Sequence, residues 1–318
     1  MLNVTVTDNT RIIEKERIAE VMRDGTLIRF MHNTSHEVEL AAVKQNGECI
    51  MYILNPSFDV MTAAVQQNGL CIKYITVQPD SVKLVAVLQN PDCIIDVLSP
   101  SETVKLAVVQ QNGLLIRHIS DPSHSVELAA VRQNCESIMY ILSPSVEVMT
   151  AAVLQNGLCI KYITTQPDSV RLAAVRQNPD CIIYIFSPSE MIKLAVVQQN
   201  GLLIRYMSDS SHEVELAAVR QNCESVMYIL NPSIAVMTTA VRQNGLCIKY
   251  ITAQPDAVKL AAVQQNPNSI IHILNPSEAV KLVVVRQDGL LIRYMMDLSE
   301  AVKSAALQQN PNSIIRNG

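Results

Sequence analysis

Hydrophobic and polar positions along the chain follow a cycle of 22 residues. Residues 275–296, NPSEAVKLVVVRQDGLLIRYMM, show one turn of it: a polar start, an apolar run, a polar Arg-Gln-Asp-Gly break and a second apolar run. Counting slots 1 to 22 from Arg11, Asn33, Asn55 and so on to Asp297 gives fourteen units in register, because 318 − 10 = 14 × 22. Slot 14 is Asn or Asp in every unit, from Asp24 and Asn46 to Asn310. Residues 1–10 form a lead-in, and residues 11–318 form a single repeat domain. Such a period is the mark of stacked units that cannot close a core singly.

Each unit reads as two short helices. Pro in slot 2 or 3 beside Ser or Asp marks a start, and an acid in slot 4, as in Asp80, Glu102 and Glu278, suits the positive end of the helix dipole. Slots 4–13 are predicted to form helix A. Asn-Gly at slots 14–15 is expected to end it, since both residues tolerate the left-handed conformation. Slots 16–21 are predicted to form helix B, partly 3₁₀. Helix A is apolar around most of its circumference, which places it between neighbours on several sides. The expected fold class is all-α: an α-solenoid of 14 tandem 22-residue helix-turn-helix repeats. A β-solenoid is the alternative, but helix A fits poorly into so short a coil. Units 11–32 and 297–318 are expected to be caps; the first is charge-rich, and the last puts Arg316 where Tyr is usual.

A longer period overlies the first. Slots 15–21 read CESIMYI, GLCIKYI, PDCIIYI and GLLIRYM before returning to CESIMYI, so four units make an 88-residue block. Block duplication explains this, as does a selected four-unit geometry.

The string NPSEAVKLAAV-x-QNG-x-x-I-x-YI resembles the short α-helical repeats of a family of unknown function from giant DNA viruses and amoeba-associated bacteria, whose units share an LAAVKQNG core. A looser likeness is to leucine-rich-variant repeats. The first resemblance implies a viral or host-interaction setting; neither implies a catalytic residue.

Composition narrows the function classes. Hydrophobic residues make up 49% and charged residues 17%, so a large core is available and disorder is not expected. Net charge is −4, which argues against a generally basic nucleic-acid binder. No run reaches the roughly 18 apolar residues of a membrane span, and an intracellular location is expected.

Candidate chemistry is sparse. Cys49, Cys71, Cys93, Cys159, Cys181 and Cys247 hold slot 17, and Cys135 and Cys223 hold slot 15. Equivalent slots should stack roughly 8–10 Å apart, beyond disulfide reach, so buried reduced thiols are expected. His36, His124 and His212 recur in slot 4 without a metal-ligand partner. No metal or cofactor site and no catalytic group is expected. Gln fills slot 13 in all units but the first, where Arg23 stands, and should bond loop backbone as an internal ladder. In slot 7, Arg17 and Glu39, Lys105 and Glu127, and Lys193 and Glu215 are opposite charges on successive units, which reads as a solvated, self-compensated surface.

The candidate binding stripe lies in slots 19 and 20. Arg29, Lys73, Arg117, Lys161, Arg205, Lys249 and Arg293 hold slot 19 of every second unit, and Tyr74, Tyr162, Tyr206, Tyr250 and Tyr294 follow five of them in slot 20. Met51, Ile95, Met139, Ile183, Met227, Ile271 and Ile315 hold slot 19 in between. Aromatics at one per unit can stack bases or pack as plates. Asp96 breaks the aromatic row, and acids in slot 16, such as Glu48 and Glu224, compensate the cations. The expected function is therefore a non-enzymatic scaffold with an extended protein-binding surface. The alternatives are nucleic-acid binding along the basic and aromatic row, and self-assembly as a virion or filament component.

Overall fold

A computed structural model of the chain describes residues 2–313. Among these, 14 α-helices alternate with 3₁₀ helices, and no strand occurs. Helix A occupies slots 4–13 in every unit after the first, as in His36–Gln45, Phe58–Gln67 and Glu278–Gln287. The first helix is longer: Leu2–Arg23 carries the lead-in and helix A of the first unit without a break. Helix B is 3₁₀ throughout and sits one slot earlier than expected, at Gly47–Tyr52 or Gly289–Tyr294. The final helix is Glu300–Gln309. The departure at Arg316 lies outside the described residues.

Ser in slot 3 stands at the start of helix A and caps it in several units, as where Ser57 Oγ accepts from Val60 N at 3.4 Å, while Ser101, Ser189 and Ser277 hold the same place without a side-chain cap bond. In Asp80–Gln89 that place belongs to Pro79, and Asp80 supplies charge to the first turn. Slot 14 links the two helices. Asn46 N donates to Ala42 O at 2.9 Å, closing helix A, and Asn46 Oδ1 accepts from Glu48 N at 3.0 Å, capping the 3₁₀ helix.

That linkage corrects the expected left-handed break at slots 14–15. Asn46 is extended, with φ −146° and ψ 109°, and no described glycine has a positive φ. Gly47 is there for space: a Cβ on it would stand 2.6 Å from Ala64 O and 2.8 Å from Gln67 Oε1. The left-handed residue is in slot 1 instead, at Asn33, Asn55, Asp121, Asp209 and Asn275 among others, with φ between 46° and 54°. Asn and Asp tolerate this region better than other side chains. Where slot 2 is Gln, its amide braces the loop: Gln78 Nε2 donates to Ile72 O and Asp96 O, and Gln78 Oε1 accepts from Leu98 N at 2.8 Å.

The chain forms two compact units, one of residues 1–155 with 162–164, the other of residues 156–161 with 165–318. Within each, helix A packs on the next helix A and the 3₁₀ helix on the next 3₁₀ helix, as a helical solenoid does. Slots 6, 10 and 11 of helix A meet slots 17, 18 and 21 in the core: Val60, Ala64 and Val65 with Cys71, Ile72 and Ile75 are all buried. Burying one such Val or Ile stabilises by about 1.5–3 kcal/mol.

The slot-13 glutamines form the expected internal ladder. Gln67 Oε1 accepts from Gly47 N of the preceding repeat at 2.9 Å, and Gln265 Oε1 accepts from Gly245 N at 2.6 Å. Where slot 15 is Pro there is no N–H to accept. The amide then donates: Gln111 Nε2 reaches Val87 O at 2.8 Å, behind Pro91.

Slot 7 differs from expectation. Lys83, Lys193, Lys259 and Lys281 are buried, not solvated. Each Nζ donates to a carbonyl of the loop that leads into the next repeat. Lys193 reaches Asp209 O at 3.0 Å, and Lys281 reaches Met296 O at 2.8 Å and Asp297 O at 2.9 Å. Lys83 and Lys193 also pair with the slot-4 acids Asp80 and Glu190 on their own helix, rather than with a neighbouring repeat's slot 7.

Candidate interaction surface

The 3₁₀ helices set the geometry of the candidate stripe. Slots 17 and 18 turn inward, which leaves slots 16, 19 and 20 facing out. All seven slot-19 cations are exposed, from Arg29 to Arg293. Tyr206 and Tyr294 are exposed, and Tyr74, Tyr162 and Tyr250 are half-buried. Cations of the stripe lie over the aromatic ring that follows them: Arg29 on Phe30 at 4.5 Å, Lys73 on Tyr74 at 4.9 Å, Arg205 on Tyr206 at 4.7 Å and Lys249 on Tyr250 at 4.7 Å from the centroid. Arg293 lies over Tyr294 in the same way at 5.0 Å. In the fifth unit His118 replaces the Tyr, and Arg117 Nε donates to His118 Nε2 at 2.9 Å. Lys161 and Tyr162 hold the same two slots.

Contacts run between repeats as well. Tyr250 OH donates to Glu224 Oε1 of the preceding repeat at 3.2 Å. Tyr250, and behind it Glu224, pushes the pKa of Lys249 up. Tyr228 of the following repeat and then Tyr206 do the same to Arg205. Lys73 is raised by Tyr74 first, with Glu48 and Asp96 adding charge from the repeats on either side. Two slot-16 acids, Glu48 and Glu224, thus lend charge to Lys73 and Lys249, the second beside Tyr250, which bonds it.

The stripe has a component that the sequence reading missed. Slot 22 is apolar in alternate units and strongly exposed: Leu54 at 88%, Leu142 at 100%, Phe186 at 83% and Leu230 at 88%. The apolar slot-19 residues of the same units, including Met51, Met139, Ile183 and Met227, are exposed too. The next unit's Tyr closes the arrangement. Ile183, Phe186 and Tyr206 line a groove of about 730 Å³, with Lys193 also on its wall. Forty-four residues on, Met227, Leu230 and Tyr250 line a groove of about 350 Å³. The signal was available, since slot 22 alternates Leu or Phe with Thr or Ser in step with slot 19 from Leu54 to Leu274.

Elsewhere the chemistry is structural. Slot-4 histidines join neighbouring repeats at the surface: His36 Nδ1 lies 3.2 Å from Ser57 Oγ, and His124 Nε2 lies 3.2 Å from Glu147 Oε2. Burial raises the pKa of the slot-7 acids Glu127 and Glu215, against the lowering effect of His124 and His212. Among the described residues, no three His, Cys, Asp or Glu side chains converge as metal ligands. No helix among them is long and apolar enough to cross a membrane.

All eight cysteines are buried thiols. Burial pushes the thiols up to about 11 at Cys49 and Cys71 and to about 12 at Cys93 and Cys181. A thiol-specific reagent at neutral pH is therefore expected to label most of them only after denaturant is added. Rapid native labelling of most of the eight would contradict this packing.

Comparison with family models, curated proteins and solved structures found no match to this chain.

Proposed function

We propose that this protein is a non-enzymatic repeat scaffold that binds protein partners along the outward face of its 3₁₀ helices. The observation that carries this reading is the alternation of exposed apolar pairs, such as Ile183 with Phe186, with Tyr residues capped by cations, such as Tyr206 under Arg205. Aromatic residues, Met and Arg are the types enriched at protein interfaces, and grooves lined by them hold anchors of a partner. The resemblance of the repeat string to giant-virus and amoeba-associated repeats supports an intracellular, viral or host-interaction setting.

The test is a comparison of surfaces. Immobilised chain and a variant carrying Phe186→Asp, Leu230→Asp and Tyr206→Ala are exposed to the same protein mixture, with Leu88→Ala, an exposed change on helix A, as control. The proposal expects a defined set of proteins on the original and the control that is absent from the triple variant, with equal helicity in all three. Equal retention by all three would end it. The same apolar ladder facing a second copy gives self-association, which sedimentation of the chain alone reads directly.

Nucleic acid fits this face poorly. The cations recur only in every second unit, flanked by apolar side chains and by acids such as Glu224. No measurable binding of single- or double-stranded nucleic acid is expected at physiological salt. A phosphate-tracking row would instead show affinity falling by about 0.7 log units per log unit of salt for each single-strand contact. Its loss on charge reversal of Arg117, Lys161 and Arg205 would replace the scaffold reading with the nucleic-acid one.

A further inference from the structure

Slot 15 of one repeat and slot 17 of the next converge. A Cβ placed on Gly25 would stand 3.0 Å from Cys49 Sγ, and one on Gly47 would stand 3.0 Å from Cys71 Sγ. Across a disulfide, with its S–S bond of about 2.04 Å, each Cβ lies about 3 Å from the partner sulfur. Slot 15 therefore holds its Cβ where a cysteine would meet the next repeat's slot-17 sulfur at bonding geometry. In the repeat 209–230 slot 15 is Cys223, and slot 17 of the next repeat is Cys247. Cys223 is the neighbouring side chain that acts on the Cys247 thiol, through hydrogen bonding and charge. Both are free, Cys223 is 8% exposed and Cys247 is 1% exposed.

We propose that Cys223 and Cys247 form a dithiol site that hydrogen peroxide converts to a disulfide, tying repeat 209–230 covalently to repeat 231–252. Cys223, the more accessible sulfur, attacks the peroxide. An S–O bond forms, the O–O bond breaks, and the departing hydroxide takes the thiol proton and leaves as water. The resulting sulfenic acid stands against Cys247. The Cys247 sulfur displaces its hydroxyl, the S–S bond forms, the S–O bond breaks, and the Cys247 proton leaves with the hydroxide as a second water. Two thiols are oxidised, one peroxide is reduced, and no other reactant is needed. Burial, followed by the neighbouring Cys223, pushes the Cys247 thiol up to about 12, so the resolving thiol rests protonated and closes the link slowly. The link closes a loop of chain that contains all of helix Ile234–Gln243.

The full chain is treated with hydrogen peroxide at neutral pH, alkylated, digested without reduction and mapped by mass spectrometry. The expected product is a peptide pair joining residues 223 and 247, lighter by two hydrogen atoms and separated by dithiothreitol. The melting temperature should rise on the order of 5 °C on oxidation and return on reduction. Cys223→Ser should abolish both effects, and Cys181→Ser should keep both. Sulfinic or sulfonic acid at Cys223 without the link, a link only in denaturant, Cys247 joined mainly to another cysteine, or no modification would each overturn the proposal.

Discussion

Lys281→Glu is expected to destabilise its half of the chain by about 3–5 kcal/mol, the range seen when a buried charge loses its partners. Lys281 is 8% exposed, and its ammonium sits between Met296 O at 2.8 Å and Asp297 O at 2.9 Å. Asp297 is the left-handed residue at the entrance to the last repeat, with φ 50°. Glutamate would set a carboxylate against two carbonyl oxygens and remove their donor. Lys281→Met keeps much of the apolar stem and removes only the donor, so about 1–3 kcal/mol is expected from it, the cost of leaving buried acceptors unpaired. Urea unfolding of the full chain gives the totals. Hydrogen exchange at residues 295–300 locates the loss, which should appear there first. A Lys281→Met chain as stable as the original would mean that the side chain merely lies along the surface.

Gly47→Val is expected to cost about 3 kcal/mol, and Asn55→Gly close to nothing. The two changes separate room from backbone torsion. Gly47 has no positive φ, yet its missing Cβ is where Ala64 O and Gln67 Oε1 lie, so any side chain pushes the next helix away. Asn55 has φ 51°, a torsion that glycine adopts without strain. Thermal unfolding of both variants checks the order. Tolerance of Val at 47 with a large loss from Gly at 55 would reverse the assignment.

What the sequence made legible lies within one repeat. The 22-residue period, the bounds of helix A at slots 4–13, the short second helix and the buried Val, Ala and Ile slots follow from local propensity and apolar spacing. The glutamine ladder could also be inferred, because a buried amide needs partners. What stayed hidden lies between different slots of successive repeats. Lys281 reaches 15 and 16 residues forward, Gly47 makes room for a carbonyl 17 residues on, and Cys223 meets a sulfur 24 residues on. Periodicity aligns like with like, so it reports none of these offsets. Asn-Gly pointed to a left-handed turn for a sound local reason, but close packing of the next helix required the same glycine on other grounds. The stripe of Arg, Lys and Tyr is legible in slots 19 and 20, whereas its apolar half in slot 22 is not, because single exposed Leu residues look unremarkable without the neighbouring Tyr that frames them.

The slot-13 amide can face its neighbour with either end, receiving a hydrogen from Gly47 or giving one to the carbonyl behind Pro91. A carboxylate could only receive and an ammonium could only give. The joint between two repeats is therefore indifferent to which kind of repeat comes before it, much as a plug that fits either way round needs no matching socket. A chain assembled from such joints can gain, lose or reorder whole repeats without redesigning the junctions. Its length and the order of its surface features are left for the outward-facing side chains, and whatever meets them, to select.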